Sequence, residues 1–257
     1  VYRGQTAIWE PNAHPRLANR WLSKVVDNCF VVFEESKKYL NSKNIMVLGM
    51  PVRSEIEKAF TRTHVVAETS ELKKTFRILH FGGSQGARAI GQALSDAVLL
   101  GGPWLQGTQI VHQSGSLDYA KLKQKYNSHL DSSKPSNKPS VELLEFIYDM
   151  PKYYESCDLV ICRGGASTIA ELAAYGLPAI VIPLPMADGH QEQNAKALAD
   201  VDALLMLLQK DLTPQRLIAE IENLRHHPEQ LQKYSKNIKS FFKPKAVEQI
   251  SRQLLGL

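Results

Sequence analysis

Cysteine is scarce in this chain: only Cys29, Cys157 and Cys162 occur among 257 residues. Thiols so few and odd in number do not make a disulfide framework, and a reducing compartment is the expectation. Long apolar runs are missing as well. The longest, such as 203–208, fall far short of the ~20 residues that a membrane-spanning helix needs. Neither sign of charge dominates: Lys plus Arg is 31, Asp plus Glu is 26, and the formal net charge is +5. The densest basic group, Lys233, Lys236, Lys239, Lys243 and Lys245, is spaced like a solvated helix face. Basic stripes interleaved with aromatics are absent, which argues against a nucleic-acid partner, while contact with an anionic lipid surface stays compatible with the charge. The sequence has no solenoid-period repeat, no Walker GK[ST], no G-x-S-x-G elbow and no zinc-ligand spacing.

What is present is the composition of a globular protein, 44% hydrophobic and 22% charged. That excludes a disordered chain, a collagen-like fibre and a coiled coil. Short β-rich runs at 29–33, 46–49, 76–81, 109–112, 141–146, 159–162 and 179–183, and a weaker one at 203–207, read as strands. Helical patterns fall at 85–100, 117–126, 150–156, 166–175, 191–199, 214–224, 229–241 and 246–255. Strands alternating with helices predict an α/β fold, a Rossmann-like parallel sheet with helices on both faces. The polar stretch DSSKPSNKPS at 131–140 reads as a surface loop, and a softer region at 61–75 reads as a domain boundary. The chain opens at Val1 within a pattern rather than at a methionine, and the part before the boundary reads as the tail of a truncated first domain with too few elements for a complete sheet.

Three segments carry candidate chemistry. Gly82-Gly83-Ser84-Gln85-Gly86-Ala87-Arg88 follows a strand and enters a helix. Glycines there let backbone N–H groups and a helix N-terminus approach an anion, although a plain tight turn explains them equally. Arg163-Gly164-Gly165-Ala166-Ser167-Thr168 repeats that logic after another strand, with Glu171 one turn further on. A carboxylate so placed accepts hydrogen bonds from vicinal hydroxyls such as those of a ribose, or is simply a surface Glu. Asp188, His190, Gln191 and Asn194 follow a third strand and have the side chains that recognise sugar hydroxyls, or that line a polar loop. All three leave the C-terminal ends of parallel strands, where open α/β sheets bind ligands, so a nucleotide or nucleotide-sugar site leads.

These motifs together resemble one family. GGSQGAR at 82–88, HQSG at 112–115, EFIYDM at 145–150, RGGASTIAEL at 163–172 and DGHQEQNA at 188–195 stand in the order and spacing of MurG, the UDP-N-acetylglucosamine:lipid-linked N-acetylmuramyl-pentapeptide N-acetylglucosaminyltransferases. Gly49-Met50-Pro51-Val52-Arg53 is similar to the family's G-N-P-V-R, with Met50 for Asn. Trp9-Glu10-Pro11-Asn12 is similar to its H-E-Q-N, with Trp9 and Pro11 as departures.

The resemblance implies a glycosyltransferase B-type fold. It divides the chain into 1–70, a remnant of the acceptor domain with the connection; 71–240, the complete UDP-sugar domain; and 241–257, a helix crossing back. It implies inverting transfer of GlcNAc from UDP-GlcNAc to undecaprenyl-pyrophosphoryl-N-acetylmuramyl-pentapeptide in peptidoglycan synthesis. The enzyme would be peripheral on the cytoplasmic side of the bacterial inner membrane, with no tightly bound cofactor or metal. By motif position, Ser84 and Gln85 would meet the diphosphate and nearby sugar, within the glycines Gly82, Gly83 and Gly86. Phe146 and Ile147 would flank the uracil, Arg53 would approach the nucleotide, and Glu171 would hold the ribose. Ala166 and Thr168, with Gly164 and Gly165, would line the second phosphate turn, and His190, Gln191 and Asn194 would hold the GlcNAc hydroxyls. The family's catalytic base lies in an N-terminal segment that this sequence does not include, so no catalytic residue is assigned and the chain alone is expected to bind donor but transfer poorly. The alternatives are the donor-binding subunit of a split UDP-GlcNAc transferase, or another glycosyltransferase B protein such as a glycolipid sugar transferase or a UDP-GlcNAc epimerase.

Overall fold

The structure is a computed structural model that describes residues 5–61, 75–83, 86–129, 140–186 and 188–255. Ser84 and Gln85, and most of the polar loop and of the boundary region, lie outside the described residues. The described chain builds two sheets in which every pairing is parallel. The first holds β1 (Ala7–Glu10), β2 (Asn28–Val31) and β3 (Ile45–Val47), with α1 (Leu17–Leu22) and α2 (Ser54–Thr61). The second holds β4 (Phe76–His80), β5 (Thr108–Gln113), β6 (Ser140–Leu144), β7 (Leu159–Cys162), β8 (Ala179–Val181) and β9 (Leu205–Met206). Its helices are α3 (Arg88–Leu100), α4 (Ser116–His129), α5 (Met150–Tyr154), α6 (Ala166–Tyr175), α7 (His190–Ala199), α8 (Pro214–His226) and α9 (Pro228–Phe241), and α10 (Ala246–Leu255) ends the described chain.

Both faces of the second sheet are covered, and the sequence shows why. Ile78, Ile110, Leu159, Ile161 and Ile180 pack on one side with Ile90, Leu94, Leu217 and Ile221 from α3 and α8. Leu79, Val160, Cys162, Ala179 and Val181 pack on the other, with Ile169, Leu172 and Ala173 of α6. A strand buried on both faces is apolar at both parities, so LVIC at β7 reads as a continuous run and is buried throughout.

The strand order β6-β5-β4-β7-β8-β9 positions the site. The chain starts mid-sheet at β4, moves out to β6, then crosses back to β7 and moves the other way. Loops leaving β4 and β7 therefore diverge, and a crevice opens between them at the C-terminal edge. Both glycine turns leave from these two strands.

The first sheet is fuller than the sequence reading allows, since β1 makes a third strand beside the two expected there. The chain also returns to this sheet at its end. The Phe241 ring meets Phe33 with centroids 4.8 Å apart, Phe242 meets Phe60 at 4.9 Å, and the Lys245 N–H donates to Glu57 Oε1.

Candidate active site

Each glycine turn delivers a helix start to the crevice. Gly86 has φ +76°, and a Cβ there would lie 2.1 Å from the Ser114 carbonyl oxygen, so only glycine fits. Gly164 is held by close approach instead: its Cβ would lie 2.4 Å from the Gln191 carbonyl oxygen. Arg163 pins the same turn, donating through Nη1 to the carbonyls of Ile182 at 3.0 Å and Pro183 at 3.2 Å. Neither α3 nor α6 nor α7 has a side-chain cap, whereas Asp149 caps α5 and Thr213 caps α8. The first N–H groups of an uncapped helix, and its positive dipole end, are available to an anion.

A cavity of about 250 Å³ lies in the crevice. Gly83, Phe146, Ile147, Thr168 and Glu171, all singled out in the sequence, line it, and Arg53 reaches it from the segment between β3 and α2. Ser167 completes the helix face shared with Thr168 and Glu171. Ile147 is 6% exposed and forms a floor, while Phe146 is 44% exposed and packs edge-on against Tyr148 with centroids 4.9 Å apart. Phe146 and Ile147 give the cavity an apolar part of its lining, which suits a heterocyclic base.

Glu171 supplies the carboxylate. Burial pushes its pKa above the ordinary value, while the Tyr154 hydroxyl and the Arg53 charge pull it back. The Tyr154 hydroxyl donates to Glu171 Oε2 at 2.9 Å, and its own pKa is pushed well up by burial and then by the Glu171 charge. Tyr154 thus stays a donor and holds the carboxylate through Oε2, on a residue that lines the cavity. Tyr154, Gln113, Phe81 and Met150 also line the cavity without having been assigned there from the sequence. Gln113 stood within a quoted motif, but Tyr154 gave no sequence signal beyond a helical apolar position.

His190, Gln191, Asn194 and Ala166 are not on this lining; Gln191 and Asn194 meet Gly164 instead. Ala166 is buried in the core. His190 Nε2 stands 3.0 Å from Asp188 Oδ2, and its Nδ1 is 3.1 Å from the His14 carbonyl oxygen. Gln191 Oε1 accepts from the Leu184 N–H at 3.0 Å. Asn194 is fully buried: Oδ1 accepts from Ala13 N–H at 2.8 Å, and Nδ2 donates to Asn12 Oδ1 and to Gly164 O, both at 3.2 Å. In this arrangement Asn194 ties the first sheet's loop to the second glycine turn. That loop is itself held by buried Glu10, whose carboxylate accepts from Asn12, Arg16 and Asn19.

Another cavity, of about 190 Å³, lies between α3 and α4. The Arg88–Asp118 and Lys125–Asp96 ion pairs lie on it, together with Lys121. Among the described residues no cluster of three or more His, Cys, Asp or Glu is arranged to hold a metal ion, and all three cysteines are free.

Comparison with known proteins adds relatives to this geometry. The chain is 49% identical over 97% of its length to a UDP-N-acetylglucosamine–N-acetylmuramyl-(pentapeptide) pyrophosphoryl-undecaprenol N-acetylglucosamine transferase of Bdellovibrio bacteriovorus, and 35% identical over 96% to the like-named protein of Myxococcus xanthus. It spans 66% and 61% of those two proteins. The crystal structure of Acinetobacter baumannii MurG superposes with a TM-score of 0.80 at 28% identity, covering 98% of this chain and 68% of that one. The two-faced parallel sheet is therefore that of a glycosyltransferase B-type C-terminal domain. The model of the glycosyltransferase family 28 C-terminal domain matches residues 77–250, and the chain belongs to that family.

Proposed function

We propose that this chain is the donor-binding portion of an inverting transferase that moves GlcNAc from UDP-GlcNAc to an undecaprenyl-diphosphate-linked muramyl-pentapeptide. The observation that carries the reading is the cavity at the strand reversal, where Glu171, the 146–147 segment, Arg53 and two glycine turns converge. The base lies on Phe146 and Ile147, and Glu171 Oε1 accepts from the ribose hydroxyls. The diphosphate lies against the uncapped starts of α3 and α6, with Ser84 and Gln85 in the first turn and Ala166 and Thr168 in the second. His190 and Gln191 face the sugar, with Asn194 setting their helix against Gly164.

In the reaction the acceptor hydroxyl attacks the anomeric carbon and the UDP oxygen leaves with the bonding electrons. The negative charge that develops on the diphosphate is stabilised by helix N–H groups and Arg53, fixed before the step begins. No tightly held metal or cofactor is assigned a part. A general base must take the hydroxyl proton, and none is assigned among these residues.

The reading divides the chain at 1–70, 71–240 and 241–257. The three-stranded sheet before residue 62, the six-stranded sheet after residue 75 and the return of Phe241, Phe242 and Lys245 to the first sheet support it. It also places the protein at the cytoplasmic membrane face. Among the described residues no helix is long and apolar enough to cross a membrane. Leu17, Trp21, Leu22 and Val25 are nonetheless exposed, with Trp21 at 64%, beside exposed Arg16, Arg20 and Lys24. An apolar patch rimmed by cations suits an anionic lipid surface.

The test is transfer of labelled GlcNAc from UDP-GlcNAc to the muramyl-pentapeptide lipid by the protein that carries this chain. Label extracted with the lipid supports the reading. Conversion of UDP-GlcNAc to its C2 epimer without lipid labelling contradicts it.

A further inference from the structure

Gln113 ends β5, the strand that lies between β4 and β6. Its side chain is 3% exposed and lines the cavity. The carboxamide makes three hydrogen bonds there. Oε1 accepts from the Gly82 N–H at 2.9 Å, and Nε2 donates to the Gly83 carbonyl at 3.0 Å and to the Glu145 carbonyl at 3.1 Å. Gly82 and Gly83 form the turn after β4, and Glu145 immediately precedes Phe146 and Ile147. One amide therefore joins two loops that both line the cavity, through Gly83 and through Phe146 and Ile147.

The partners dictate the residue type. A backbone N–H demands an acceptor and two carbonyls demand two donors, and only a carboxamide offers one acceptor and two donor hydrogens on one planar group. The demands also fix which way the amide points. Glutamate keeps the acceptor but turns a carboxylate toward two carbonyl oxygens. An apolar residue of similar length removes all three of these part-buried bonds and leaves nothing on the side chain to replace them.

We propose that Gln113 is a positioning residue of the donor site, fixing the distance between the turn that meets the diphosphate and the segment that meets the base. The proposal rests on the donor-site reading above. A ligand that spans both loops needs that distance held, whereas a nucleoside that touches only the base-flanking segment does not. Loss of Gln113 therefore weakens UDP more than uridine, which a general loosening of the fold would not do.

The experiment titrates UDP and uridine into the wild-type chain, Gln113→Glu and Gln113→Met, by calorimetry for UDP and by NMR for uridine. Melting temperatures without ligand are recorded for each protein. UDP affinity should fall by about tenfold or more in both variants, the equivalent of one to two net hydrogen bonds. Uridine affinity should fall by less than about threefold, since its contacts do not cross the bridge. Equal losses for the two ligands, or wild-type UDP affinity in either variant, would overturn the proposal. Should Gln113→Met not fold, Gln113→Glu carries the same comparison, because it retains the bond to Gly82. Failure of the wild-type chain to bind UDP is a separate result: it removes the donor-site reading before any variant is compared.

Discussion

Glu171 shows how a single residue trades stability against binding. Burial raises its pKa, so the folded chain holds that proton more tightly than the unfolded chain does. Its contribution to stability is therefore present below the ordinary carboxylate pKa and is lost as pH rises through the raised value. At neutral pH the ionised side chain is a cost to the fold, accepted where a ligand supplies donors. Glu171→Gln keeps the shape and an acceptor for Tyr154, so its melting temperature at pH 7 should match or exceed wild type while the rise induced by UDP-GlcNAc shrinks. A lower melting temperature with an unchanged ligand-induced rise would show that the charge serves the fold.

His80 and His112 have the opposite sign. They lie fully buried with ring centroids 4.9 Å apart, and Nε2 of each lacks a hydrogen-bond partner among the described residues. Burial lowers the His80 pKa to about 4 and the His112 pKa well below its ordinary value. Both are neutral in the fold, so their contribution is present above the unfolded value of ~6.5 and is lost as pH falls toward the depressed values. From His80 alone the loss reaches about 3 kcal/mol. Urea unfolding at pH 7, 5.5 and 4.5 should show it, and His80→Asn should flatten the decline.

At the scale of elements, the two glycines of the second turn separate fold from binding. A methyl at Gly164 would press on the Gln191 carbonyl and displace α7, whereas at Gly165 the closest atom is Thr168 Oγ1 at 3.6 Å. Gly164→Ala should therefore cost about 1–3 kcal/mol in chemical denaturation, as overpacking does. Gly165→Ala should stay within about 0.5 kcal/mol of wild type yet bind UDP more weakly, because it adds a methyl to the turn proposed to meet the phosphate. Equal stability in the two variants would mean that the turn is not packed as described.

The same elements show what could be read beforehand. β7, α6 and α10 have the boundaries expected from the sequence: β7 is a continuous apolar run, Gly165 and Gly176 bracket α6, and Pro244 and Gly256 stand on either side of α10. β1 was not expected: it has four residues, including exposed Trp9 and charged Glu10, and only the tertiary hydrogen bonds of Glu10 explain that charge. α1 and α2 escaped for a similar reason, being short and having little buried surface of their own. Glu171 was legible because a glycine turn precedes it. The role of Gln113 was not, since it depends on the β4–β5–β6 register. Asn194 was read as a sugar contact from its type, and its partners Asn12 and Ala13 lie more than 180 positions away.

Across the whole molecule, the first sheet's part and the second's are tied at several places. Arg53 lines the cavity, Asn194 and His190 bond to the 12–14 loop, and Phe241 and Phe242 pack on Phe33 and Phe60. Asn194→Ala removes three hydrogen bonds, two of them buried, and takes the partner from Ala13 N–H and from Gly164 O. It should cost about 2–4 kcal/mol, as broken buried networks do, and should increase protease cleavage within 5–61 more than in the second sheet. Unchanged protection of that segment would mean that the two sheets are held together elsewhere.

The most direct measurement is calorimetric titration of the 257-residue chain with UDP-GlcNAc, UDP-glucose and GDP-mannose, repeated with Glu171→Ala. Binding should be strongest for UDP-GlcNAc and should weaken about 10–100-fold in the variant, the value of charge-assisted hydrogen bonds to a ribose. GDP-mannose binding as tight as UDP-GlcNAc, or UDP-GlcNAc affinity that survives Glu171→Ala unchanged, would contradict a uridine-nucleotide site built on this carboxylate.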